Sequence, residues 1–207
     1  MKRKQIQTIV AILLLVGIIA IDQIIKIAVK TGMYLHQSIR VTDWFYLLFT
    51  ENNGMAFGWA FITKTLLTLF RLVATLAVGA YIVRLIRRGV HWGYLICLTF
   101  IMTGAAGNIV DCVFYGQVFS ASTPYAVSHF VSFGEGYASW LNGQVVDMLY
   151  FPLWHWTWPE WMPFVGGQPY TFFSYIFNVA DACISCGVIA LILFFRRTLS
   201  SEFPVEK

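Results

Sequence analysis

Two short stretches of this chain place the same residue types at the same spacing. They are Gly107-Asn108-Ile109-Val110-Asp111 and Phe177-Asn178-Val179-Ala180-Asp181. Each sets Asn and Asp three residues apart in an apolar run, and on a helix that spacing puts both side chains on one face. An aspartate in such a run costs about 2.5–3.5 kcal/mol to bury in a bilayer, so acids there mark function. A third acid, Asp147, lies between the two stretches within Gln144-Val145-Val146-Asp147-Met148. Carboxyls that share a site cannot ionise equally, so one keeps its proton and the other becomes a base. Such a pair can activate a water and protonate an amide leaving group, which is hydrolysis of a peptide bond without a covalent intermediate.

Other chemistries fit less well. The histidines, His36, His91, His129 and His155, are scattered with no metal-ligand spacing, and no metal or other cofactor is expected. No nucleophilic serine motif stands out. Cys183-Ile184-Ser185-Cys186 matches C-x-x-C, the pattern of a thiol oxidoreductase, but it lies deep in an apolar helix where cysteine is usually a packing residue. An ion-coupled carrier would also hold intramembrane acids, but here they gather at one face and do not cross the membrane.

The elements that position these residues are membrane spans. Of 207 residues, 58% are hydrophobic and 12% charged, with a mean hydropathy of +0.69; soluble domains carry about 25% charged residues. Four runs are long enough to cross a bilayer: about 6–29, 65–86, 92–114 and 175–195. The formal charge of +4 is no sign of a nucleic-acid partner, because the basic residues sit at the ends of these runs: Lys2, Arg3 and Lys4, then Arg84, Arg87 and Arg88, then Arg196 and Arg197. The positive-inside rule puts both termini in the cytoplasm and segments of about 30–64 and 115–174 outside. Asp22, Asp111 and Asp181 then reach one depth near the outer face, with Asp181 about two turns inside the fourth span. Lys26, four residues after Asp22, is expected to pair with it and extend outward.

The outer segments carry structure of their own. Val41–Trp59 reads as strand–turn–strand about Asn52-Asn53-Gly54. Phe151–Tyr170, with four tryptophans and four prolines, reads as an interfacial flap. Gln117–Gly143 reads as a loop or small strand pair. It is flanked by two similar pieces, Tyr115-Gly116-Gln117-Val118 and Asn142-Gly143-Gln144-Val145, which suggest a repeated strand start.

These blocks together resemble signal peptidase II, the prolipoprotein signal peptidases. The resemblance rests on Asp22-Gln23 with Lys26, Asn52-Asn53-Gly54-Met55-Ala56-Phe57, Gly107-Asn108 with Asp111, Val145-Val146-Asp147, and Phe177-Asn178 with Ala180-Asp181. It implies an aspartic endopeptidase of the bacterial inner membrane, a monomer that cleaves diacylglyceryl-modified prolipoproteins just before the lipidated cysteine, with membrane lipid as its other partner. The fold implied is mainly α: a four-helix transmembrane bundle with a small extracytoplasmic β-cradle and a flap. Asp147 and Asp181 would be the catalytic pair. Asn52, Gly54, Asn108, Asp111 and Asn178 would contact substrate, and Asp22 and Lys26 would support the site. The family's Arg after the third-span Asp is Cys112 here, and Arg71 in the second span is a candidate for the missing positive charge.

Overall fold

The structure, a computed structural model, describes residues 2–53 and 63–202. Gly54 and the Met55-Ala56-Phe57 that follow it in the motif fall outside these residues. Among the described residues, four helices are long and apolar enough to cross a membrane. They are α1 (Arg3–Gly32), α2 (Lys64–Arg88), α3 (Trp92–Val110) and α5 (Val179–Glu202). Helix α3 runs on through one π-helical turn at Asp111–Tyr115 into the short α4 (Gly116–Val118). Local signals set the joint between α2 and α3. Gly89 ends α2 in the left-handed region at φ 73°, and the His91 ring accepts the Gly93 N–H to start α3.

Helix α1 is built inside out. Its outward face carries Ile12, Leu13, Val16, Ile21 and Ile24, while its buried residues include Gln7, Asp22, Lys26 and Lys30. In lipid, apolar side chains need no shelter and polar ones do. Helix α3 is the central helix, packed against α1, α2 and α5. Its small residues permit close approach: a Cβ on Gly104 would lie 2.2 Å from the Ala180 carbonyl oxygen, so only glycine fits there.

The sheet caps one end of the bundle. Strands β1 (Ser38–Arg40), β2 (Tyr46–Asn52), β3 (Val145–Tyr150) and β6 (Ile176–Phe177) form one antiparallel sheet in the order β1-β2-β3-β6. Thr50 pairs with Asp147 and Asn52 with Val145. Alternation along β3 sends Val146 and Met148 into an apolar cluster with Val29, Phe49, Tyr115 and Phe119, and leaves Asp147 on the opposite face.

Two expectations need correction, the start of the fourth long helix and the strand start at Tyr115–Val118. The fourth long helix starts at Val179, not Tyr175, because Ile176–Phe177 pair with β3 instead; Asp181 therefore lies in the first helical turn, not two turns inside. The turn expected about Asn52-Asn53-Gly54 and the strand after it lie outside the described residues from Gly54 on, with β2 leading up to them; a separate turn at Val41–Phe45, where Val41 N–H and Thr42 N–H both donate to the Phe45 carbonyl, joins β1 to β2. The segment Phe151–Tyr170, read as a flap, is built largely as a hairpin of its own, β4 (Trp154–Thr157) and β5 (Pro169–Phe172), with exposed Trp154, Trp161 and Phe164. Tyr115–Val118 closes a helix and starts no strand, and the segment after it is irregular apart from a bridge between Phe119 and Phe130.

Candidate active site

The start of α5 organises the site. Asn178 caps the helix: its Oδ1 accepts the Asp181 N–H at 2.9 Å, and the Asp181 carboxylate accepts the Asn178 N–H at 3.3 Å. This is a reciprocal capping box, which satisfies two otherwise orphaned N–H groups. A further N–H, that of Ala180, donates to Asp22 Oδ1 across the bundle at 3.0 Å. The same first turn that ends the sheet thus fixes the Asp181 side chain.

The two asparagines connect the acids. Asn178 Nδ2 donates to Asp147 Oδ1 at 2.7 Å, and Asn108 Nδ2 donates to Asp181 Oδ1 at 2.8 Å. Asn108 Oδ1 accepts from Asn178 Nδ2 at 3.0 Å and from Lys26 Nζ at 2.8 Å. From β2, Asn52 Nδ2 reaches Asp147 Oδ2 at 3.3 Å. Asn52 can do this because it lies two residues from Thr50, the strand partner of Asp147, and so shares its face.

Lys26 does not extend outward. It is fully buried and contacts Asp22 at 2.9 Å, Asp111 at 2.8 Å and the Asn108 carbonyl oxygen, one acceptor for each ammonium proton. The reason is that α3 presents an acid and an amide on the face Lys26 meets. Asp111 also accepts from Gln23 Nε2 at 2.8 Å and from the Val146 N–H at 3.2 Å. It therefore lies behind β3, next to the catalytic candidate's own strand, and does not line the cavity.

That cavity, of about 320 Å³, is lined by Asn52, Arg71, Asn108, Val145, Asp147 and Asp181, with Phe70, Ala74, Thr75, Ala105 and Ile184 completing its walls. Both candidate carboxylates open into it. Burial pushes the Asp147 carboxyl up to about 7, the negative charge of Asp181 adds in the same direction, and the Asn52 and Asn178 hydrogen bonds oppose it. Cys112 is buried and does not reach the cavity, whereas Arg71 does.

Comparison with known proteins places this architecture. The family model for signal peptidase (SPase) II matches residues 14–197. The chain belongs to the signal peptidase II family. A lipoprotein signal peptidase of Porphyromonas gingivalis is 46% identical over 188 residues, covering 90% of this chain and 83% of that relative. Another, from Amoebophilus asiaticus, is 36% identical over 200 residues, covering 91% and 78%. A bacterial membrane enzyme solved by the in meso method at 1.9 Å has the same fold, with a TM-score of 0.60 at 20% identity over 91% of this chain and 93% of that one. The chain is thus a multi-pass membrane protease of the signal peptidase II family, whose activity is removal of signal peptides from prolipoproteins.

Seen as a signal peptidase II site, the structure brings Asp147, Asp181, Asn52, Asn108 and Arg71 together at the cavity, and sets Asn178, expected to contact substrate but fully buried, behind them with Asp22, Lys26 and Asp111. Sequence reasoning gave no role to Gln23, which spans Asp22 and Asp111 and accepts from the Tyr115 hydroxyl at 3.0 Å. It also missed the buried Lys30–Glu51 ion pair. A signal existed for Lys30: Asp22, Lys26 and Lys30 follow at intervals of four, one charged stripe along a helix otherwise clad in aliphatics.

Proposed function

We propose that Asp147 and Asp181 are the catalytic pair of an aspartic endopeptidase, and that it needs no cofactor. Its substrate is a prolipoprotein whose cysteine already carries diacylglycerol, cut just before that cysteine. The observation that carries this reading is the shared cavity: two carboxylates open into it, tied together by Asn108 and Asn178, and one of them is pushed up to about 7. Asp147, pushed up to about 7, is assigned the acid and Asp181 the base.

The reaction then follows by proton bookkeeping. Asp181 removes a proton from a water held between the two acids, and the water oxygen bonds to the scissile carbonyl carbon. Asp147 passes its proton to the carbonyl oxygen, giving a neutral tetrahedral diol. In the second step Asp181 returns its proton to the amide nitrogen, Asp147 takes back a hydroxyl proton, and the C–N bond breaks. Both carboxyls end as they began. Asn52, Asn108 and Asn178 hold the carboxylates in rotamers that face the water. Arg71, the only basic side chain lining the cavity among the described residues, contacts the substrate backbone from the α2 wall.

The setting follows from the same reading. The enzyme lies in the bacterial inner membrane as a monomer with both termini cytoplasmic, the basic residues near Arg84–Arg88 inside and the sheet outside. Lipid surrounds the apolar helix faces, the exposed aromatics of the β4–β5 hairpin rest in the outer headgroup layer, and nucleic acid plays no part. The test is cleavage of a lipidated lipobox peptide by the parent and by Asp147→Asn and Asp181→Asn. Each variant should fold, bind the peptide and leave it uncut; comparable turnover in either one refutes the assignment.

A further inference from the structure

We infer that Lys30 and Glu51 form a buried clamp that sets Asn52 against Asp147, with the long segment after Val118 as its outer jaw. This rests on the catalytic pair proposed above. Lys30 stands in the last turn of α1 and is fully buried. Its ammonium pairs with the Glu51 carboxylate of β2 and lies 3.0 Å from Ser122 Oγ, while the Ser122 hydroxyl donates to Glu51 Oε1 at 2.9 Å. The Tyr137 and Phe119 rings flank the charge, with centroids 4.8 and 5.5 Å away. An acid, a hydroxyl and two ring faces enclose one ammonium, and three of the four come from the segment between α4 and β3.

The geometry aims this cluster at the site. Glu51 immediately precedes Asn52, and strand alternation sends their side chains to opposite faces. Glu51 is gripped from behind while Asn52 points into the cavity and reaches Asp147. A second tie arrives from the same segment. The Tyr137 hydroxyl accepts the Gln144 N–H at 2.6 Å, and Gln144 Nε2 donates to Asn53 Oδ1 at 3.0 Å. The residues on both sides of Asn52 are thereby fixed, at the last position of β2, where the ladder with β3 ends.

A buried ion pair contributes little net stability compared with apolar side chains of the same size, and its attested use is to fix register. That is the role assigned here: Lys30 and Glu51 are positioning residues acting through Asn52. It gives the segment between α4 and β3 a task, which is to hold the edge of the site from outside. Misplacement of a catalytic contact by about 1 Å costs on the order of 100-fold in rate.

The test compares the parent, Asn52→Ala, the paired variant Lys30→Met/Glu51→Met, and all three changes together. Removing both charges avoids the lone buried carboxylate that Lys30→Met alone would leave. The paired variant should fold and lose about 10- to 100-fold in kcat with KM changed less than about 3-fold. Adding Asn52→Ala to it should cost less than about 3-fold more, since both changes remove one interaction. Backbone amides at Glu51–Asn53 should exchange faster in the paired variant, measured without substrate. Unchanged kcat, fully multiplicative losses, or unchanged exchange would each overturn the clamp. If the parent itself leaves the lipidated peptide uncut, the catalytic reading falls, and the exchange result still decides whether Lys30 and Glu51 hold the strand end.

Discussion

Replacing Asp147 by Asn should abolish cleavage and stabilise the protein, but only where the carboxyl would otherwise be charged. An ordinary aspartate titrates at 3.8, and this one is pushed up to about 7, first by burial and then by Asp181. Below 3.8 the folded and unfolded chains both hold this proton, and the acid costs nothing. Between 3.8 and 7 the unfolded chain releases it first, so stability falls as pH rises. Above 7 the full cost stands, about 4 kcal/mol for a displacement of this size. Asn is neutral at every pH and escapes it. Its amide offers one acceptor where the carboxylate offered two, so one of the bonds from Asn52 or Asn178 is lost, at about 1 kcal/mol. The net gain is about 3 kcal/mol at pH 8, or roughly 6–12 °C in melting temperature for a chain of this size. The assay is thermal unfolding of detergent-purified parent and variant at pH 8 and pH 4. The gain should be present at pH 8 and absent at pH 4. A variant that melts lower than the parent at pH 8, or higher by the same amount at both pH values, would refute the electrostatic account of Asp147.

Lys26→Met should be among the most damaging changes in the chain, because it leaves Asp22 and Asp111 buried without their cation; a loss of about 3–5 kcal/mol is expected in a denaturation series, with Asp22→Asn in the same chain recovering part of it. Arg71→Gln should raise KM about 10-fold for the lipidated peptide and alter kcat less; unchanged KM would remove Arg71 from substrate contact. Cys183→Ser with Cys186→Ser should retain at least half of the parent's cleavage rate, since neither free cysteine lines the cavity that holds Asp147 and Asp181. The alkaline limb of the pH–rate profile should fall near the apparent pKa of about 7 belonging to the coupled pair, and Asn52→Ala should move it upward, because the Asn52 hydrogen bond favours the ionised Asp147.

Local chemistry was readable in the sequence and long-range chemistry was not. The Asn-x-x-Asp spacing predicted a common face at Asn108 and Asp111, and at Asn178 and Asp181, and hydropathy located four membrane-length helices. The start of α5 was misplaced because Tyr175–Phe177 is apolar, yet Asn178 followed three residues later by an acid is a helix-start signal in its own right. The tryptophans at 154, 156 and 158 alternate with period two, and that pattern is the strand that folds back against β5. The environment of Lys26 could not be read, since whether a lysine extends or turns inward depends on what the neighbouring helix offers. Asn108 and Asp111 were both in view, but not their reach to α1. Lys30, Glu51 and Ser122 are 21 and 92 residues apart along the chain from the lysine's position, and no spacing rule joins them.

The arrangement also explains why so many polar groups accompany two reacting acids. A helix that begins in a low-dielectric setting exposes N–H groups that need acceptors, and α5 begins there because it must deliver Asp181 to the cavity. Asp22 satisfies one of those groups, which brings a further charge into the bundle; Lys26 balances Asp22, and its remaining protons hold Asp111 and Asn108. Asn108 then has its oxygen committed to the lysine and can offer only N–H to Asp181. The Asp181 carboxylate is thus held at one oxygen by the Asn178 cap and at the other by Asn108, whose orientation is set by Lys26 on another helix. It follows that Lys26 substitutions act on catalysis by reorienting Asn108, and that Lys26→Arg, whose planar fork does not reproduce three convergent N–H directions, should fall short of the parent in kcat even where it restores the melting temperature.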